Sequence, residues 1–199
     1  MKPLAKFNGT RNLPFCHFFI FCILQFSFSI FHGEEKSFVI VIPSHNNKIW
    51  YQQNLDSVFN QVYTNYRVVY IDDASNDGTD YLVPAYVQSL EQEHRFTFIR
   101  NREEKGTLAC IAQAVFACAP EEVVIELHGS DWLVHGQVLR HLNELYQDST
   151  VWMTYGQFLY FPRQTLGFAS PIPQEIIHNN QFRNLKGCVT HLRSFYACL

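Results

Sequence analysis

The sequence predicts an α/β fold, a mostly parallel sheet flanked by helices. Three observations carry that reading. Short β-branched runs recur along the chain, stretches with helical apolar spacing separate them, and polar clusters follow several of the runs. A continuously apolar strand is one buried on both faces, and strands alternating with helices of about a dozen residues build parallel sheets through crossovers.

The first run, Phe-Val-Ile-Val-Ile at 38–42, is closed by Pro43. Residues 49–62 place Leu55, Val58, Phe59 and Val62 at helical spacing. A second strand, 67–71, ends in Asp72 and Asp73, and Asp77, Gly78 and Thr79 then turn the chain and cap a helix over 80–90. Pro84 falls within its first turns. A third strand at 96–99 precedes an Ala-rich helix at 107–118. The fourth strand, 122–127, runs into the polar loop His128, Gly129, Ser130, Asp131. Another amphipathic helix at 134–146 carries Val138, Leu139, Leu142 and Leu145 on one side, and 151–155 reads as a fifth strand. Beyond Gly156, Pro162, Gly167, Pro171 and Pro173 predict loop, and the closing run 194–199 reads as a helix or strand cut through.

With 47% hydrophobic and 17% charged residues in 199, the chain can fill the core of one ordinary domain plus an appendage. Lys2, Lys6 and Arg11 meet no acid before Gly33, which leaves 12 basic and 18 acidic side chains for the remainder. That acidic body excludes a general nucleic-acid binder. The run 15–31 is uncharged and rich in Phe, and as a helix it would span about 26 Å, slightly short of a bilayer core of about 30 Å. With its basic flank it reads as a secretory signal or a signal anchor, hence membrane association or secretory targeting. Asn8-Gly9-Thr10 is a formal glycosylation sequon.

Cys16 and Cys22 lie in that apolar run, and Cys110, Cys118, Cys188 and Cys198 form no Cys-x-x-Cys pair, so neither a disulfide framework nor a zinc site is expected. Cys110 and Cys118 read as small buried thiols in a helix. His128, His135 and His141 fit no common zinc spacing, and Trp132 and Trp152 read as core more readily than as sugar platforms.

In open parallel sheets ligands bind beyond the carboxyl ends of the strands. Ser44, His45 and Asn46, then Asp72 and Asp73, then the 128–131 loop all fall there. No glycine-rich dinucleotide or P-loop motif follows a strand. An acid after the second strand can accept a hydrogen bond from a base or ribose, and one after the fourth can hold a hard divalent cation against a diphosphate. Asp131 can equally cap the helix that follows.

These residues carry a resemblance. Pro43-Ser-His-Asn46, Asp72-Asp-Ala-Ser-Asn-Asp-Gly-Thr79, Asn101-Arg-Glu-Glu-Lys-Gly106 and His128-Gly-Ser-Asp-Trp-Leu133 resemble the opening of the family 2 glycosyltransferases, which have the GT-A fold. The resemblance covers about 37–160, with residues 190–196 resembling an acceptor-side segment. It implies transfer of a sugar, with inversion, from a nucleoside diphosphate sugar (UDP-linked by expectation) to a saccharide or other hydroxyl acceptor. It places Pro43, His45 and Asn46 around base and ribose, Asp73 as the base-reading carboxylate with Asp72 beside it, and Lys105 and Gly106 near the diphosphate. Apart from the resemblance, Arg193 is a further candidate near the diphosphate. Asp131 matches the last acid of the family's metal motif, which implies a divalent cation, Mn or Mg. His128 and Ser130 stand where acids are common. Imidazole suits manganese better than magnesium, so His128 is the second candidate ligand.

The chain divides accordingly into a basic tail with signal or anchor at 1–33, a nucleotide-sugar-binding domain at 34–160 and an incomplete acceptor-side segment at 161–199. The family's catalytic base lies beyond the matched segment, so no general base is named. A truncated enzyme and a non-catalytic nucleotide-binding module both remain open.

Overall fold

Residues 34–185 and 189–199 are described by the structure, a computed structural model. The expected signal or anchor at 15–31, the sequon at Asn8, and Cys16, Cys22 and Cys188 lie outside the described residues. No described helix is long and apolar enough to cross a membrane.

β1 (Phe38–Ser44) is buried along its whole length. It pairs in parallel with β2 (Tyr66–Asp72) on one side and β4 (Val123–Glu126) on the other, and β2 pairs in parallel with β3 (Phe96–Arg100). Alternation along β1 divides the core. Phe38, Ile40 and Ile42 point into one cluster, Val39 and Val41 into the other. The first cluster is roofed by α1 (Tyr51–Phe59), α2 (Thr79–Ser89) and α4 (Val138–Leu145) through Leu55, Val58, Val83, Val87, Leu139 and Leu142. The second is closed by α3 (Thr107–Val115) through Cys110, Ile111 and Ala114. Helices on both faces explain why the central strands read as unbroken apolar runs.

The sheet has six strands in the order β3-β2-β1-β4-β8-β5, where β5 is Met153–Tyr155 and β8 is Arg193–Tyr196. β8 is antiparallel to both neighbours. The closing apolar run is therefore a strand, and the stretch assigned to the acceptor-side segment returns into the main sheet. A small hairpin of β6 (Leu159–Tyr160) and β7 (Thr165–Leu166) and the short α5 (Gln174–His178) fill the stretch read as loop.

Several expected elements are shorter. Ile49 and Val62 fall outside α1 and are 81% and 64% exposed, so the apolar spacing overran the helix at both ends. Val134 is exposed as well, and α4 begins only at Val138. Trp152, read as core, is 58% exposed beside edge strand β5. Cys118 lies beyond α3, and Cys110, Cys118 and Cys198 are free thiols. Burial first, then the charge of Asp73, pushes the Cys110 thiol up to about 11, which keeps it neutral and unreactive.

Candidate functional site

The strand order reverses at β1. The chain steps outward through β2 and β3, then returns to place β4 on the opposite side of β1. The crevice beyond the carboxyl ends of β1 and β4 is thus the position where open α/β sheets bind ligands.

Hydrogen bonds lace the loops around this crevice. The Gly129 amide donates to the Pro43 carbonyl at 3.0 Å, and the Asp73 amide to the Ser44 carbonyl at 2.8 Å. Asn46 bridges to the loop after β2, its amide donating to Ser75 Oγ and its side-chain oxygen accepting the Asn76 amide, each at 2.9 Å. His45 Nδ1 lies 2.7 Å from the Asp73 carbonyl, which requires the proton on Nδ1 and leaves Nε2 to accept from Asn46 Nδ2 at 2.9 Å. His45 and Asn46 are exposed at the rim, whereas Pro43 is buried in β1.

Asp73 is 4% exposed and joins three strand ends. Its Oδ1 accepts Asn101 Nδ2 at 2.7 Å and the Lys105 amide at 3.0 Å, and its Oδ2 accepts the Lys105 amide at 3.1 Å and the Gly106 amide at 2.7 Å. Burial pushes this carboxyl up, but the Lys105, Asn101 and Gly106 donors outweigh it and hold the group below its ordinary value. Two donors per oxygen fill the acceptor capacity of the carboxylate, so a base N–H could reach it only by displacing one of them. Asp72 is fully buried, with Oδ2 accepting the Ser75 amide at 3.2 Å and Oδ1 lacking a partner among the described residues. Beside the two acids, Ala74, Ser75, Arg100, Asn101 and Arg102 line an open cleft of about 480 Å³. Arg100 is paired with Asp80 at 2.7 Å, and Arg102 is exposed.

A second centre lies at the end of β4. Glu126 is 6% exposed, and its Oε1 sits 3.1 Å from His128 Nε2 and 2.8 Å from Arg193 Nη2 on β8. The His128 and His191 rings lie 4.9 Å apart. Glu126, His128 and His191 each offer one ligand atom, and all three atoms lie within 4.8 Å of one another. Burial pushes Glu126 up, but the His128 hydrogen bond and the Arg193 and histidine charges outweigh it and hold its carboxyl low. The hydrogen bond that His128 donates to Glu126 holds His128 above its ordinary value against burial, with the charges of Glu126 and Asp131 contributing. Two imidazoles and a carboxylate fit a divalent transition ion, manganese before magnesium, and a cation would replace the proton now shared by Glu126 and His128.

The 128–131 loop is held from below. Asn54 of α1 is fully buried, and its Nδ2 donates to the carbonyls of His128 at 3.0 Å and Asp131 at 2.7 Å. Gly129 packs so closely that a Cβ there would stand 2.6 Å from Asn47 Nδ2 and 2.7 Å from Ser44 Oγ. The structure thus gathers His45, Asn46, Asp72, Asp73, Lys105 and Gly106 around one end of the sheet. It sets His128 in the Glu126 cluster, with Asp131 outside that trio, while His135 and His141 are exposed elsewhere.

The glycosyl transferase family 2 model matches residues 39–197. The chain belongs to that family. No curated protein sequence matches the chain. Among solved structures, this family 2 chain is similar to S. aureus TarS 1–349 in complex with UDP-GlcNAc, at 14% identity and a TM-score of 0.61, over 81% of this chain and 45% of that one. A mannosyltransferase from Pyrobaculum calidifontis in complex with GDP-Man and Mn2+ matches at 16% identity and a TM-score of 0.52, over 90% and 51%. GalNAc-T7 with UDP, GalNAc and Mn2+ matches at 15% and 0.58, over 84% and 36%. The chain spans about half or less of the length of these proteins, and the likeness is one of fold. It places the six-stranded α/β domain among GT-A folds.

Glu126, His191 and Asn54 escaped the sequence reading. Glu126 had a signal, an acid interrupting an apolar strand two residues before His128. Asn54 had a weaker one, a polar residue beside Leu55 on the buried side of a helix. His191 had only its place in the 190–196 stretch resembling an acceptor-side segment, and nothing there linked it to Glu126, because β8 approaches β4 from far along the chain.

Proposed function

We propose that this chain binds a nucleoside diphosphate sugar, UDP-linked by preference, at the β1/β4 switch point and transfers the sugar with inversion to an acceptor hydroxyl. The observation that carries this reading is the convergence of the loops after β1, β2, β3 and β4 on one crevice, with the cationic cleft at Arg102 on one flank and the Glu126, His128 and His191 donor set on the other. TarS with UDP-GlcNAc and the mannosyltransferase with GDP-Man and Mn2+ support it by fold.

His45 and Asn46 line the base and ribose in this reading, with the buried Pro43 beneath them, and His45 offers a ring face at the rim. Asp72, fully buried, lies beneath the crevice, while Asp73 acts through the backbone it organises at Lys105 and Gly106, where the diphosphate lies. Glu126, His128 and His191 would hold the divalent cation, and Asp131 follows in the same loop. Such an ion, when bound, neutralises charge developing on the leaving diphosphate. The chain's own contribution is positioning: the acceptor oxygen attacks the anomeric carbon in line as the bond from that carbon to the diphosphate oxygen breaks, and the acceptor hydroxyl gives up its proton to water. A second reading, a nucleotide-binding module without turnover, draws on Arg193, which already occupies the Glu126 oxygen that an ion would need.

Thermal unfolding of the full chain with UDP and Mn2+ tests the site. A ligand at ~100 times its dissociation constant stabilises by about 2.7 kcal/mol, and Arg102→Ala and His191→Ala are expected to diminish the shift. No shift in the folded wild type would refute nucleotide binding. A shift without release of UDP from UDP-GlcNAc or UDP-glucose, in the presence of hydroxyl acceptors, would favour the module.

A further inference from the structure

Three aromatic rings meet at the rim of this crevice from three separate loops. Trp50 precedes α1 in the segment after β1, Trp132 directly follows Asp131 after β4, and Phe161 lies at the end of β6, just beyond β5. The two indoles stack with centroids 6.0 Å apart and planes at 29°. Phe161 stands nearly perpendicular to both, 5.1 Å from Trp132 at 76° and 6.4 Å from Trp50 at 80°. None of the three belongs to either core cluster, and Phe161 is 59% exposed, with Tyr160 at 50% and Leu159 at 43% beside it. Trp50 and Trp132 are half-buried. Rings that meet at the edge of the core, with one of them exposed and convergent polar groups beside them, fit a binding site. Aromatic residues provide wide, stiff apolar contact at low entropic cost.

We infer that Trp50, Trp132 and Phe161 form a platform that holds a pyranose ring of a saccharide acceptor by its apolar C–H face. The inference rests on the transfer reading above and narrows its acceptor to a carbohydrate. Position carries it. Trp132 is covalently next to Asp131, and the Asn54 side chain that fixes the Asp131 carbonyl belongs to the helix that Trp50 precedes. A sugar resting on the three rings therefore lies beside the crevice assigned to the donor. Pyranoses with equatorial hydroxyls present axial C–H groups on their faces and hydroxyls around their rim, so a ring face of the platform suits the former and leaves the latter to the polar groups of the crevice.

Indole fluorescence tests this directly, because Trp50, Trp132 and Trp152 are the three tryptophans of the chain. In a Trp152→Phe background all indole emission comes from the platform. The full chain is titrated with cellotetraose and chitotetraose, with saccharide protons followed by saturation-transfer NMR and UDP binding measured on the same samples. The expected result is a saturable emission change and saturation transfer with at least one tetrasaccharide. Phe161→Ala and Trp132→Ala, shown to be folded by circular dichroism, are expected to weaken binding at least tenfold while the UDP response persists. Phe161→Ala alters an exposed side chain and keeps the test decisive should Trp132→Ala fail to fold. Absence of saccharide binding in the parent, or binding equally strong in Phe161→Ala, overturns the platform. Loss of the UDP response in the parent instead overturns the nucleotide reading, whatever the saccharides do.

Discussion

The Asp73 carboxylate and the Gly106 amide lie 2.7 Å apart, joining the end of β2 to the N-terminus of α3 across 33 residues of sequence. Asp73→Ala leaves the Asn101, Lys105 and Gly106 donors without their acceptor in a mostly buried place. A loss of about 2–3 kcal/mol is expected in urea unfolding at pH 7. The pH dependence has a definite sign. The folded group titrates below its ordinary 3.8, so its contribution is complete above that value and disappears as pH falls through the folded pKa. The gap between wild type and Asp73→Asn is therefore expected to narrow in acid, and a gap that widens there would refute the assignment.

Two glycines in the site are required for different reasons. At Gly129 the backbone passes so near Ser44 and Asn47 that a methyl group has no room, and Gly129→Ala is expected to cost about 1–3 kcal/mol. At Gly106 there is open space, but φ is 87° and ψ 156°, a conformation essentially reserved for glycine. Gly106→Ala is expected to cost a similar ~1–3 kcal/mol and to shift the Lys105 and Gly106 amide resonances, whereas Gly129→Ala shifts those around Ser44. Equal stability of wild type and both variants in thermal melts would contradict the geometry.

The central sheet was legible because burial on both faces writes itself into the sequence as apolar runs, as at 38–42 and 67–71. The polar strand ends were legible because a buried strand that stops in Asp72 and Asp73 has few structural reasons to do so. Legibility failed where partners are distant or one-sided. β8 pairs with β4 across about 70 residues of sequence, so nothing local marks Arg193 or His191 as neighbours of Glu126. Ile49 and Val62 kept helical spacing yet lie on surface turns, since periodicity does not report where capping ends a helix. Trp152 reads as core by residue type, but it flanks an edge strand and is exposed.

Manganese binding is expected to depend on His191 and Glu126 more than on Asp131. His191→Ala removes one of three donors that already lie within 4.8 Å of one another, and a loss of affinity exceeding tenfold is expected in Mn2+ titrations followed by electron paramagnetic resonance. Glu126→Gln is expected to weaken the ion similarly while freeing Arg193. Undiminished Mn2+ affinity in both variants would place the ion elsewhere.

Arg67 and Glu122 provide the contrasting case at the opposite, amino end of the sheet. Arg67 Nε donates to Glu122 Oε1 at 2.9 Å and Nη2 to Oε2 at 2.8 Å, and Glu122 also accepts the Ala119 amide at 2.8 Å. The Arg67 side chain is 36% exposed, so solvent screens the pair, and Arg67→Ala is expected to cost only about 0.5–1 kcal/mol. UDP and Mn2+ binding are expected to be unchanged. A change in either would mean that the two ends of the sheet are coupled.

Asn54 positions the candidate metal loop through backbone carbonyls rather than through a ligating atom. Its amide nitrogen is divided between the His128 and Asp131 carbonyls, and its Oδ1 is buried without a partner among the described residues. Asn54→Asp replaces the donor by an acceptor facing two carbonyl oxygens and buries a charge, which is expected to cost about 3 kcal/mol or more or to prevent folding. Asn54→Ala loses the tether but adds no repulsion, at about 1–2 kcal/mol. In Asn54→Ala the 128–131 amides should exchange with solvent faster and Mn2+ affinity should fall several-fold, while saturating Mn2+ restores part of the loop's protection. A purely structural asparagine would lower stability without that rescue, and comparing amide exchange with and without the ion distinguishes the two.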